Sequence, residues 1–376
     1  MKTILISLIF FQIGLGQKPN FEAQSIDIQV SIGYGIAIGD VDGDKKPDIL
    51  LADQKQFVWY RNGDWKRFVM IENLTERDNV CIAARDIDGD GKVEVAVGAN
   101  WNPSETNDLN KSGSVHYLIA PKDPTQKWDA VKLHHEVTIH RLKWIKVAKN
   151  RFQLIVVPLH GLGNKNGVGK GVNIWAYEVP KKPQNEWKRT LVDSSMHMTH
   201  NFEIVEGNVP KLAIGGKEGI NVFELNQNKW SKTQHLVDNP TGEIKLGNVD
   251  NAIISFSPTI VSPMHGNKLV TFDKNRKEQL LTDNLNQGHA LAVADFLGNG
   301  RKQIVVGWRE PNKDKKVGIK MFSQNTMNSD WDEFIIDDNQ MACEDMQVAD
   351  LNGDGKLDII ASGRATKNLV IYWNKN

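Results

Sequence analysis

Short β-branched runs alternate with tight acidic turns along the chain, and the same pairing of run and turn recurs. Gly35-Ile36-Ala37-Ile38-Gly39 leads into Asp40-Val41-Asp42-Gly43-Asp44, and Cys81-Ile82-Ala83-Ala84-Arg85 leads into Asp86-Ile87-Asp88-Gly89-Asp90. Met346-Gln347-Val348-Ala349 leads into Asp350-Leu351-Asn352-Gly353-Asp354, and a decayed copy reads Leu291-Ala292-Val293-Ala294-Asp295-Phe296-Leu297-Gly298-Asn299. Each copy continues into an apolar run: Ile49-Leu50-Leu51, Val95-Ala96-Val97, Ile304-Val305-Val306 and Ile359-Ile360-Ala361. The unit this pattern predicts is strand, acidic turn, strand.

The leading aspartates fall at 40, 86, 295 and 350, and neighbouring copies lie about one propeller blade apart, roughly 40–50 residues. The stretch between Asp86 and Asp295 has room for three more blades without acidic turns, expected to start at Ile139-His140-Arg141-Leu142, Thr199-His200-Asn201-Phe202 and Gly242-Glu243-Ile244-Lys245. The expected fold is therefore all-β, a seven-bladed β-propeller filling residues 17–376 as a single unit. Phe57-Val58-Trp59-Tyr60, Val172–Tyr177 and Val370-Ile371-Tyr372-Trp373 read as third strands, and the chain stops after the last of these. Ser25–Val30 alternates like a strand and is expected to complete the last blade, leaving no open sheet edge.

Composition narrows the function. With 376 residues, 40% hydrophobic and 24% charged, the chain can bury a large core. Lys and Arg match Asp and Glu at 46 each, which removes the electrostatic case for nucleic acid as a partner. Met1-Lys2-Thr3 and the apolar run Ile4–Gly16 read as a signal peptide over residues 1–16, too short to span a bilayer. No Cys follows the expected cut before Gln17, and no later stretch is apolar enough to cross a membrane, so a soluble secreted or periplasmic monomer is expected. Cys81 and Cys343 are too few for a disulfide framework; the repeat register argues against their pairing, and they read as small core residues. Most of the eleven Trp are expected in the core.

The acidic turns suit a hard cation. Asp40, Asp42, Asp44 and Asp48 project oxygens at alternate positions toward one point, as do Asp86, Asp88, Asp90 and Glu94, and Asp350, Asn352, Asp354 and Asp358. Calcium takes such an oxygen cage, and carboxylates this close repel one another without a cation. Structural calcium is the expectation; solvated Asp/Gly turns without metal are the bland alternative. Asp295, Leu297, Asn299 and Gln303 are not expected to bind.

The ends of the inner strands opposite these turns should form the propeller mouth, where a site is expected. Tyr34, Val80, His140, His200, Glu243, His289 and Glu344 are the expected strand entries, and His160, Lys217, His265, Arg309 and Arg364 follow second strands. Five of the ten His then share one mouth, in blades that lack a full acidic turn. Imidazoles beside carboxylates suit zinc or another divalent transition metal, with His140, His200 and His289 as expected ligands, or acid–base work near neutral pH. Lys217, Arg309 and Arg364 are candidates to hold a carboxylate or an enolate oxygen.

The repeats resemble the FG-GAP/VCBS family, which implies a propeller of the integrin and bacterial exported type. The segments His160-Gly161, His265-Gly266, Gly288-His289-Ala290-Leu291 and Gly307-Trp308-Arg309 resemble the propeller domain of aldos-2-ulose dehydratase, and more loosely propeller polysaccharide lyases. These likenesses imply a carbohydrate partner and a carbon–oxygen lyase acting on a keto sugar or uronate, with a His as base. A non-catalytic, calcium-stiffened propeller that binds glycan or protein is the alternative from another class.

Overall fold

The computed structural model describes residues 17–247, 257–324 and 330–376; the expected signal peptide lies outside them. The described residues form seven four-stranded antiparallel sheets and no helix, a seven-bladed β-propeller. The inner strands Gly35–Gly39, Cys81–Arg85, Ile139–Ala148, Thr199–Val205, Ile244–Gly247, Gly288–Ala294 and Cys343–Ala349 stand side by side around the axis. The three blades without acidic turns begin where expected, apart from the fifth, whose regular strand starts two residues later, after Gly242 and Glu243 have both bonded to Val261 across the pair.

The ring closes through the N-terminus: Phe21–Asp27 pairs antiparallel with Asn368–Asn374, the third strand of the last blade. Pairing stops earlier than the alternation of Ser25–Val30 implied. Asp27 turns back to accept the Gln29 N–H, Ile28 is left 76% exposed, and Val30 folds into the core. Closure covers the edge of Asn368–Asn374 and gives the last blade the four strands of the others.

Apolar burial is spread between blades. The seven hydrophobic clusters of the described residues fall one to each interface between neighbouring blades, as where Trp59 of the first blade meets Ile82 and Val97 of the second. Second strands such as Ile49–Ala52 are fully buried because both faces pack on a neighbouring sheet, so they are apolar throughout and do not alternate. Cys81 and Cys343, in the second and seventh blades, are buried and free, each packed where Gly98 or Gly307 leaves no room for a Cβ. Burial pushes the Cys81 thiol up to about 12, so it is inert.

Candidate functional site

Inner strands begin at the mouth and end at the acidic turns, so the second residue of each strand is placed at the rim. At His140, His200 and His289 the backbone fixes the imidazole. His140 Nδ1 lies 3.0 Å from the His200 carbonyl, His200 Nδ1 3.1 Å from the Gly242 carbonyl, and His289 Nδ1 2.5 Å from the Glu344 carbonyl. A carbonyl only accepts, so each Nδ1 carries the proton and each Nε2 offers a lone pair. His265 comes from the turn after the second strand of blade five, where Gly266 is required because a Cβ would meet the Ser262 carbonyl at 2.3 Å.

The rings of His200 and His265 lie 4.3 Å apart, with Nε2 against Nε2, and His289 stands 4.6 Å from His265. One ligand nitrogen from each of His200, His265 and His289 falls within 4.8 Å of the others, the separation three ligands of one ion require. Glu243, 4% exposed, sets Oε1 3.2 Å from His200 Nδ1, the outer carboxylate that tunes a metal-binding imidazole.

Electrostatics keep the rings neutral. Burial, then the Arg141 charge and the neighbouring His200 and His265, holds His140 well below the ordinary imidazole range; burial and then Arg309 also hold His289 well below it, and burial takes His265 to about 2. Burial raises the Glu243 carboxyl, but His200, Arg141 and Asn201 outweigh it and hold it at about 2. A neutral triad beside an ionised carboxylate is the protonation state a divalent ion needs.

The structure redistributes the expected roles. His265 takes the ligand position expected of His140, because Arg141 Nη1 donates to His140 Nε2 at 3.0 Å and occupies its lone pair; His140 packs on Trp101 with ring centres 5.1 Å apart. His160 stands apart, its N–H bonded to Thr138 Oγ1 and its chain paired with Met198. Lys217 is exposed and reaches only the carbonyls of Asn166 and Gly167, so it is not brought to the rings. Arg309 and Arg364 both bind Glu344 at the mouth, Arg309 being the more deeply buried of the two.

Sequence reasoning missed Arg141. Its signal was the polar pair that opens these otherwise apolar strands, His140-Arg141, His200-Asn201 and Glu344-Asp345, whose second members face the axis. Arg141, Asn201, Glu243 and Asp345 line an axial cavity of about 300 Å³ beneath the rings. Deeper in it, Lys143 and Lys245 share Glu203 at 2.9 Å each.

At the opposite face, Asp40, Asp42 and Asp48 converge, as do Asp86, Asp88 and Asp90. Asp44 and Glu94 fall outside these groups; Asp44 accepts the Lys46 N–H and Glu94 the Ile87 N–H. Asp350, Asp354 and Asp358 form no such group, and Asn352 caps Asp354. Burial raises Asp48 and Glu94 to about 7, against the ordinary carboxyl range. In the decayed turn neutral Gln303 accepts the Phe296 and Leu297 N–H groups, the task Asp48 performs for Val41, so the turn folds without that charge.

Residues 40–97 match the family of FG-GAP-like repeats. The chain carries an FG-GAP-like repeat. That match covers the first two acidic turns and the strands between them. No curated protein matches this chain in sequence. Among solved structures, a chain of BBS1N in complex with ARL6DN is similar with a TM-score of 0.59 at 9% identity, covering 94% of this chain and 96% of that one. A chain of the mitotic checkpoint complex is similar with a TM-score of 0.59 at 10% identity, covering 99% of each. At such identities the likeness is one of fold alone. No helix among the described residues of this FG-GAP-repeat propeller is long and apolar enough to cross a membrane.

Proposed function

We propose that this FG-GAP-repeat propeller is an exported, metal-dependent carbon–oxygen lyase acting on sugars at its imidazole mouth. The observation that carries the reading is the convergence of His200, His265 and His289, buried or half-buried and neutral, with the Nδ1 groups of His200 and His289 tied to backbone carbonyls. Two anchored rings lose little freedom on binding an ion, and an all-imidazole set suits zinc or a similar transition metal. Bound there, such an ion supplies a Lewis acid for a substrate oxygen.

The chain's own groups supply the rest. Glu243 holds His200 in one tautomer, and burial, reinforced by the Arg141 charge, keeps the rings unprotonated. His140, beside His200 but bonded through Nδ1 to the His200 carbonyl and through Nε2 to Arg141, has no lone pair free for proton transfer and instead fixes the flank of the triad. Trp101, half-buried against His140, offers an aromatic face of the kind on which sugar rings pack. In the same reading calcium occupies the turns of Asp40 and Asp86 and stiffens the hairpins without touching substrate.

The test is to incubate metal-loaded protein with keto sugars and with uronate-containing oligosaccharides and to follow the ultraviolet absorbance of the unsaturated product. Activity that disappears in folded His200→Ala and His265→Ala variants supports the lyase. Absence of product from every substrate, with metal bound, overturns it and leaves a glycan- or protein-binding propeller.

A further inference from the structure

One charged feature of the mouth is not used by the triad. Glu344 is 2% exposed, yet its two oxygens bind two different guanidinium groups: Arg309 Nη1 at 2.7 Å on Oε2 and Arg364 Nη1 at 2.9 Å on Oε1. Two cations on one carboxylate leave a surplus positive charge. We infer that Arg364 receives the carboxylate of an acidic sugar, so that the substrate of this mouth is a uronate and not a neutral keto sugar; this rests on the lyase reading above.

Exposure decides which arginine is the receptor. The Arg309 side chain is 15% exposed and also donates to Gln287, whereas the Arg364 side chain is 38% exposed. Arg364 is held ready. Its N–H donates to the Ala342 carbonyl, its guanidinium lies 5.4 Å from the centre of the Tyr34 ring, and Tyr34 is itself fixed by donating to Asp78. Glu344 takes a single Nη1 N–H and Tyr34 shares the guanidinium, and the donors left on the exposed part of the five-donor fork can meet the oxygens of an incoming carboxylate.

The position is also right. The carbonyl of Glu344 holds His289 Nδ1, so the anion receptor and a ring of the triad are joined through one residue. Deeper in the mouth Arg141 is balanced by Glu243 and Asp345, and a divalent ion on the rings adds further positive charge that an anionic substrate offsets.

The experiment is calorimetric titration of the full chain, zinc-loaded, with an oligogalacturonate and with its methyl ester. The acid is expected to bind roughly tenfold to a hundredfold more tightly than the ester. Arg364→Gln should remove that difference while leaving zinc content and ester binding unchanged, and Arg364→Lys, which keeps the charge without the fork, should restore part of it. Equal affinity for the two forms, binding of neither, or a preference that survives Arg364→Gln overturns the inference. A preference for the acid in a chain that binds no zinc would instead overturn the lyase reading and leave the carboxylate site standing.

Discussion

The two faces of the propeller gather carboxylates at one end of the ring and imidazoles at the other, in different blades, and they do so by different means. On the turn face the ligands are neighbours in sequence: Asp40, Asp42 and Asp48 converge because one tight turn folds them together. On the mouth face His200, His265 and His289 come from three successive blades and converge only because those blades pack side by side around the axis. Local ligands make a local brace. Ligands gathered from separate blades depend on the whole architecture, and that is where chemistry needing a fixed geometry can be built.

The sharpest break of this comparison is His200→Ala. It should leave the fold intact by circular dichroism and lower transition-metal affinity by more than the ~100-fold that losing an outer partner costs. A variant that binds metal as tightly as the parent contradicts the assigned triad. Next in size is chelation of the turns. EGTA should lower thermal stability, by about 2.7 kcal/mol if calcium had stood at a hundred times its Kd, and by the same amount in the His200→Ala variant. A calcium effect that vanishes with His200 would mean that the faces are not independent. Smaller again is Glu243→Gln, expected to weaken metal binding by ~10- to 100-fold through the orientation of His200, measured by competition with a chromophoric chelator.

The smallest effect concerns pH in the metal-free chain, where the faces should respond with opposite signs. The mouth imidazoles lie below the ordinary value of about 6.5, so the unfolded chain binds protons first. Their contribution to stability is present above that value and lost as pH falls. Asp48 and Glu94 are raised to about 7, so the folded chain binds protons first, and stability rises as pH drops from about 7 toward the ordinary carboxyl range. Denaturant midpoints across this window should fall less steeply for His289→Gln and more steeply for Asp48→Asn. The reverse order would contradict the assignment.

Much of this was legible in the sequence because repeats report geometry. The spacing of Asp40, Asp86, Asp295 and Asp350 carried the blade count, counting back from the turns carried His289 to the rim, and the matching entries of the blades without turns carried His140 and His200 there. What the repeats could not convey was which rings meet. His140 and His200 look equivalent along the chain, yet Arg141 occupies the Nε2 of one and leaves the other open to His265. Lys217 likewise sits at the end of a second strand as His265 nearly does, but its long side chain is satisfied by the loop carbonyls of Asn166 and Gly167. Strand position sets the height of a residue along the axis; side-chain partners from neighbouring blades decide its direction.

Elemental analysis of the purified full chain, alongside His265→Ala, bears on both faces at once. The account predicts a stoichiometric transition metal in the parent chain that is lost from His265→Ala, together with calcium that stays in both. A parent chain without transition metal, or one that keeps it after His265 is removed, would contradict the central claim that the mouth is a three-imidazole metal centre.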